Sequence, residues 1–306
     1  MFEFKKFPSL ENHYQVKLVQ LAEDLGFTAE PYLVTEKVHG ANFSFHTNGT
    51  ELQCAKRTGF IEQNEKFFNY RPIVEKYREG LFALGKALKA NVIVYGELYG
   101  GNIQAGMPYK NEQDFVAFDL VVNGTPINKI LALTLLTDYG IPTVPVVGVY
   151  PSLDEAMALN ESFTSKLLSH TFAGDAAHAE AEGLVIEPTE PKWYPNGSRV
   201  YFKKKTKRFL EKGGNKVPKP TEKLPEELEA ILLQSLEYIT KPRFESVASK
   251  VGEVSIKDIG KLTGLMTQDI LVDMEKDELE VPEHKQFMKL LQGQVQNFIR
   301  PILLTL

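Results

Sequence analysis

Residues 32–57 read Tyr32-Leu-Val-Thr-Glu-Lys-Val-His-Gly-Ala-Asn-Phe-Ser-Phe-His-Thr-Asn-Gly-Thr-Glu-Leu-Gln-Cys-Ala-Lys-Arg57. Three β-like runs stand out, Tyr32–Lys37, Asn42–His46 and Leu52–Arg57, the first two rich in β-branched and aromatic side chains. Asn48-Gly49 lies between the last two, and Asn-Gly readily takes the positive backbone angles of a tight hairpin turn. The same arrangement returns downstream, where the apolar runs Val92–Leu98 and Phe115–Val122 are followed by Asn123-Gly124. Closely spaced strands joined by such turns imply antiparallel sheets, since a doubly wound parallel sheet needs a crossover after every strand. Further strands are expected at Val144–Val149, Gly183–Glu187 and Arg199–Lys205, with helices over His13–Leu25 and Ile73–Lys89.

After Lys212 the chain becomes Gly213-Gly-Asn-Lys-Val-Pro-Lys-Pro220, a linker by composition. Beyond it the β signal fades. Glu226–Tyr238, Pro242–Val251, Ile256–Lys276 and Glu283–Leu304 carry apolar residues at helical spacing. The fold class expected is therefore α+β over residues 1–220, with antiparallel sheets flanked by helices, followed by a small all-α domain over 221–306.

Composition narrows the function. The 306 residues are 43% hydrophobic and 25% charged, within the range of soluble globular proteins. No apolar run reaches the length of a transmembrane helix, and Met1-Phe-Glu-Phe-Lys-Lys-Phe-Pro8 lacks the apolar stretch of a secretory signal. Cys54 is the only cysteine, which excludes an internal disulfide and a cysteine-based zinc site. A cytoplasmic protein is expected. The net charge of −5 arises entirely after residue 220, where 10 basic residues meet 15 acidic ones. Against that background Arg199–Lys219 holds nine Lys or Arg and one acid, Glu211, a local excess suited to a polyanion.

Gly80-Leu-Phe-Ala-Leu-Gly-Lys-Ala87 imitates a P-loop, but Ala87 stands where the magnesium-binding hydroxyl belongs and the stretch falls in a helical pattern. Chemistry is better sought in Glu36-Lys37-Val-His-Gly40-Ala-Asn42, which places a lysine at a strand end beside a glycine. A lysine amine is a nucleophile only when neutral, and an ordinary one is protonated near neutrality. Cations nearby would favour the neutral form. Lys203 and Lys205, alternate residues of one strand, share a face and fit that role. Arg57, Glu97 at the end of Val92-Ile-Val-Tyr-Gly-Glu97, Phe118-Asp119 and Glu182-Gly183 complete an ordered set.

The series Lys37-Val-His-Gly40, Glu97, Phe118-Asp119, Glu182-Gly183 and Lys203-Lys-Lys205 resembles the motifs of the covalent nucleotidyltransferases, the ATP-dependent polynucleotide ligases and mRNA capping enzymes. Within them, Glu36-Lys-Val-His-Gly-Ala-Asn42 followed by Ala55-Lys-Arg-Thr-Gly59 is similar to the T4 RNA ligase 2 branch. The likeness extends to Ser9-Leu-Glu-Asn-His-Tyr14, Trp193-Tyr-Pro-Asn-Gly-Ser-Arg-Val200 and Val251-Gly-Glu-Val-Ser-Ile-Lys-Asp-Ile-Gly260, nearly the whole chain. One departure is Glu187, before Pro188, where members of this branch often have lysine.

The resemblance implies an ATP-dependent RNA ligase in which Lys37 takes AMP from ATP, passes it to a 5′-phosphate, and the end is then sealed to a 3′-hydroxyl. It implies Lys203, Lys205 and Arg57 on the α-phosphate, Phe118 stacked on adenine, Glu97 on the ribose, Glu36 on the base, and Asn42 on the nucleic-acid 5′-phosphate. Glu182 and Asp119 are the carboxylates expected to recruit Mg²⁺ or Mn²⁺. His39, with no carboxylate partner evident from sequence, is expected to order its loop. The partner implied is RNA, nicked duplex with 3′-OH and 5′-phosphate ends, without an obligate protein partner. An ATP-dependent DNA ligase or another lysine-dependent nucleotidyltransferase is the alternative; both it and the capping enzymes usually append a β-barrel where this chain turns helical.

Overall fold

The computed structural model describes residues 2–104, 107–168, 176–210 and 226–306. It divides into two compact units, Met1–Thr206 and Lys207–Leu306. The Gly-Pro linker and the boundary expected near residue 220 fall in 211–225, outside the described residues.

The first unit carries strands β1 Glu11–Asn12, β2 Tyr32–Lys37, β3 Ala41–Thr47, β4 Leu52–Lys56, β5 Gly59–Phe60, β6 Val92–Tyr99, β7 Asp114–Val122, β8 Thr125–Pro126, β9 Val146–Tyr150, β10 Gly183–Pro188 and β11 Phe202–Lys205. Its helices are α1 Val16–Asp24, α2 Tyr70–Leu88, α3 Lys129–Asp138, α4 Leu153–Met157 and the single turn α5 Ala176–Ala179. The strands form a five-stranded sheet, β1-β11-β10-β2-β9, and a six-stranded sheet, β5-β4-β3-β6-β7-β8. Every named pair is antiparallel except β1 with β11. The antiparallel α+β class is thus what the protein adopts, and the P-loop imitation lies inside α2.

Alternation along β6 shows why its sequence is almost wholly apolar. Val92, Val94 and Leu98 enter a core with Phe43, Phe45, Leu81 and Leu84, whereas Ile93, Tyr95 and Tyr99 pack on the opposite face. A central strand covered on both faces needs no polar side. The five-stranded sheet buries Val34, Leu184, Ile186 and Phe202 against Ala22 of α1 and Leu153 and Ala156 of α4.

One expected strand is shorter than its pattern. Arg199–Lys205 begins as a strand only at Phe202, because Arg199 first closes a small turn by bridging back to Trp193 around Asn196-Gly197. The second unit consists of α6 Glu226–Leu236, α7 Lys241–Val251, α8 Ile259–Lys276 and α9 Lys285–Leu304 around Leu232, Phe244, Met266, Ile270, Leu291 and Val295. Thr240 caps α7 by accepting from the Arg243 amide at 3.3 Å, with Pro242 in the first turn where no amide hydrogen is needed. Among the described residues no helix is long and apolar enough to cross a membrane.

Candidate active site

Lys37 is the last residue of β2, and the chain leaves one sheet there to enter β3 of the other four residues later, at Ala41. Gly40 makes that crossing possible. A Cβ on it would run into the Leu98 carbonyl oxygen and lie 2.8 Å from Glu97 Cγ, so any side chain would push the Lys37 loop off β6. Gly183 faces Lys37 across the ladder at φ +147°, and a Cβ there would collide with the Lys204 carbonyl.

The pairing of β10 with β2 and β11 brings the basic residues together. Gly183 is flanked by Lys37 and Lys205, and Val185 by Thr35 and Lys203. Alternation therefore puts Lys203 and Lys205 on one face of β11 and Lys204 on the other. Lys204 is spent there, donating to the carbonyls of Met157 at 3.0 Å and Leu159 at 2.6 Å and pairing with Glu161 at 3.3 Å.

Glu182 is the hub. Its Oε1 lies 2.8 Å from Lys37 Nζ and 2.9 Å from Lys205 Nζ, and its Oε2 lies 3.3 Å from His39 Nδ1. Burial alone would push its carboxyl up, but Lys205 and Lys37 overcome this and hold it well below the ordinary range. His39 thus has the carboxylate partner that the sequence hid, 143 positions away, while its backbone amide donates to Tyr109 Oη at 3.2 Å. Glu97, opposite Asn42 on β3, behaves the other way. Burial raises it to about 8, with Lys37 pulling it down and Glu182 pushing it up.

An open pocket, with about 460 Å³ of space that includes its solvent-facing mouth, is lined by Lys37, Glu36, Glu97, Phe118, Val185 and Glu187 among others. Phe118 enters it through a β-bulge. In the β6–β7 ladder Tyr95 pairs with Asp119 and Gly96 with Ala117, so Phe118 is the extra residue that the bulge re-aims. Glu36 lines the same pocket with both carboxylate oxygens engaged, accepting from Ser165 Oγ at 2.5 Å and the Lys166 amide at 2.9 Å. Arg57 lies just beyond β4, its Nη2 donating to Ser9 Oγ at 3.3 Å, and its charge is felt at Glu97.

Asp119 requires a correction. It is fully buried, paired with Arg199 Nη1 at 2.5 Å and Lys129 Nζ at 3.3 Å, and accepts from Tyr201 Oη at 2.8 Å. A carboxylate closed in by two cations and a hydroxyl has no side open to a metal ion, so the expected metal role does not fit Asp119. Among the described residues no three His, Cys, Asp or Glu groups gather to hold a metal.

Sequence reasoning missed Lys129, Arg199, Tyr201 and Ser165. Lys129 left a trace: it is the only basic residue of α3 and sits directly after the capping Asn128, whose side chain accepts from the Leu131 amide at 3.0 Å.

Comparison with known proteins agrees with this geometry. The RNA ligase family profile matches residues 30–205, and that of the T4 RNA ligase 2 C-terminal region matches 221–301. The mitochondrial RNA-editing ligase 2 of Trypanosoma brucei brucei is 33% identical over 107 residues, 32% of this chain and 26% of that protein. RNA-editing ligase 1 of the same organism is 26% identical over 107 residues, 31% of this chain and 23% of that protein. Among solved structures, a mutant Naegleria gruberi RNA ligase with ATP and Mn superposes with a TM-score of 0.51 at 18% identity, covering 68% of this chain and 58% of that one. The same ligase with PPi gives 0.51 at 19%, covering 68% and 57%. The match thus spans about a quarter of the length of the curated relatives and under two thirds of the solved ones. With a profile match over more than half its length, the chain belongs to the RNA ligase family.

Proposed function

We propose that the protein is an ATP-dependent RNA ligase that joins 3′-hydroxyl to 5′-phosphate ends through a covalent lysyl-AMP. The observation that carries this reading is the shared bond of Lys37 and Lys205 to one Glu182 oxygen beside a pocket lined by Phe118 and Glu97.

In the first step Lys37 Nζ gives up its proton and its hold on Glu182, then attacks the α-phosphorus of ATP. An N–P bond forms, the bond to the β-phosphate oxygen breaks, and pyrophosphate leaves with the electron pair. A 5′-phosphate oxygen of the nucleic acid next attacks the same phosphorus and returns the amine to Lys37. Finally the 3′-hydroxyl loses its proton and attacks the activated 5′-phosphorus, and AMP departs. Phosphoryl transfer asks a protein mainly for positioning and charge neutralisation. Lys203, Lys205 and Arg57 supply charge in this reading, Phe118 a stacking face, Glu97 a ribose contact, Glu36 and its loop the base edge, and Asn42 the 5′-phosphate contact. Glu182 would hold Mg²⁺ or Mn²⁺ once Lys37 releases it, and the ion would supply neutralisation of phosphate charge and of the leaving pyrophosphate.

Nicked duplex RNA is the proposed substrate, residues 1–220 the adenylylating domain and 221–306 the domain that engages RNA. The single, buried Cys54 supports a reducing compartment, cytoplasmic in this reading. The test is direct. Protein incubated with α-labelled ATP and Mg²⁺ should gain a covalent label that survives denaturation and alkali, is released by hot acid as a phosphoramidate is, and is reversed by pyrophosphate. Lys37→Ala should gain none while still sealing pre-adenylylated ends. Label on the Lys37→Ala protein would overturn the nucleophile. Sealing of nicked DNA in preference to nicked RNA would favour the DNA ligase alternative.

A further inference from the structure

At the end of the pocket away from Lys37 lies a buried group that the reaction above does not use. Gly183, Val185 and Glu187 alternate onto the pocket face of β10, beside Lys37, Thr35 and Leu33 of β2. Four residues of strand separate the Lys37 rung from the Glu187 rung, about 13 Å. Glu187 is 2% exposed. Its Oε1 lies 3.0 Å from Lys129 Nζ, whereas its Oε2 has no hydrogen-bond partner among the described residues, facing Arg199 Nη2 at 4.0 Å. Glu187 and Lys129 both line the pocket. Buried carboxylate oxygens without a donor are rare, and each costs free energy unless something fills the place.

We propose that Glu187 Oε2 is a nucleobase-reading group that accepts a hydrogen bond from the 6-amino group of a purine seated against Phe118, and so selects ATP over 6-oxopurine nucleotides. This rests on the reading of the pocket as the nucleotide site. A nucleotide whose phosphates lie at the Lys37 rung extends its base along the strand towards Glu187. An ionised carboxylate only accepts. It rewards an amine and opposes a 6-carbonyl, which would set two acceptors against each other with no water between. Lys129 anchors the other oxygen and balances the charge, so that Oε2 is held in place and left available.

The experiment uses the full-length protein and three probes: ATP, inosine triphosphate with a 6-carbonyl, and purine riboside triphosphate with hydrogen there. Equilibrium binding and the rate of covalent labelling are measured for each. The expected preference of the unmodified protein for ATP over both analogues is at least about tenfold, the scale of one hydrogen bond to a charged group. Glu187→Gln should erase most of the preference over purine riboside triphosphate and raise inosine relative to ATP, because the amide can turn to donate. Glu187→Asp, which keeps the charge beside Lys129 but withdraws the oxygen, should also lose the ATP preference without gaining inosine. Equal effects of either variant on all three nucleotides would overturn the proposal and leave Oε2 to an ordered water. Failure of both variants to fold would leave the unmodified protein to decide: equal affinity for ATP and purine riboside triphosphate overturns it. If no nucleotide binds at all, the reading of the pocket itself fails and this inference with it.

Discussion

The two ends of β10 carry the same residue in opposite circumstances. Glu182 and Glu187 are both nearly inaccessible and each lies against two cations. Yet Glu182 is held well below the ordinary carboxylate range and Glu187 above it. Burial raises both, and the difference lies in how many acids share the cations. Lys37 and Lys205 both converge on Glu182. Lys129 and Arg199 are divided between Glu187 and Asp119, and Asp119, with the shorter Arg199 bond and the Tyr201 hydroxyl, is the one held below its ordinary range. The Glu182 end therefore holds positive charge that phosphates can claim, and the Glu187 end is a buried carboxylate balanced by its cations that shapes the floor.

That contrast is broken most severely at Lys129. Lys129→Met leaves Asp119 and Glu187 competing for Arg199 alone, an uncompensated buried charge that should cost about 3–5 kcal/mol. Urea unfolding of the variant beside the parent measures it. A loss under about 1 kcal/mol would mean that Glu187 takes up a proton and the floor tolerates one cation. Next in size is the basic strand. Lys205→Ala should slow covalent labelling by at least about a hundredfold, the scale for one preorganised charge donor. Lys204→Ala, facing away, should change labelling by only a few-fold while costing about 1–2 kcal/mol of stability from two carbonyls left without donors. Equal losses of labelling at both positions would replace two aimed side chains with a diffuse patch.

How much of this was legible in the sequence follows from the range of each interaction. The strands Tyr32–Lys37 and Gly183–Pro188, the Asn-Gly turns and the four C-terminal helices follow from local pattern, and so does the sharing of a face by Lys203 and Lys205. The ordered motifs grouped Lys37, Glu97, Phe118 and Glu182, and in the fold the first three line one pocket while Glu182 pairs with Lys37. Asp119 was misread because its chain neighbour Phe118 faces the pocket; the bulge that separates them leaves no mark in composition. His39 with Glu182, Glu36 with Ser165 and Asp119 with Arg199 are 143, 129 and 80 residues apart. No single-sequence periodicity reports pairs so distant. They can be found only once the register of the sheets is known.

The last effect is one of pH, and it separates Glu97 from Glu182. Burial lifts Glu97 from an ordinary 4.5 to about 8. A carboxyl raised on folding contributes stability while it stays protonated in both states, so its contribution is complete below about 4.5 and is lost as pH climbs towards about 8. Glu182 has the reverse sign: its lowered carboxyl contributes above the unfolded value and loses that contribution only in acid. Replacing Glu97 by Gln removes the first dependence and leaves the second. The melting temperature of Glu97→Gln relative to the parent should therefore rise between pH 5 and pH 8, while the acid limb below pH 4.5 keeps its shape. Glu36 and Glu187 are also raised by burial, so the comparison must be the difference between the two proteins and not the slope of either. A difference that stays flat from pH 5 to pH 8 would show that Lys37 and Arg57 hold Glu97 ionised throughout.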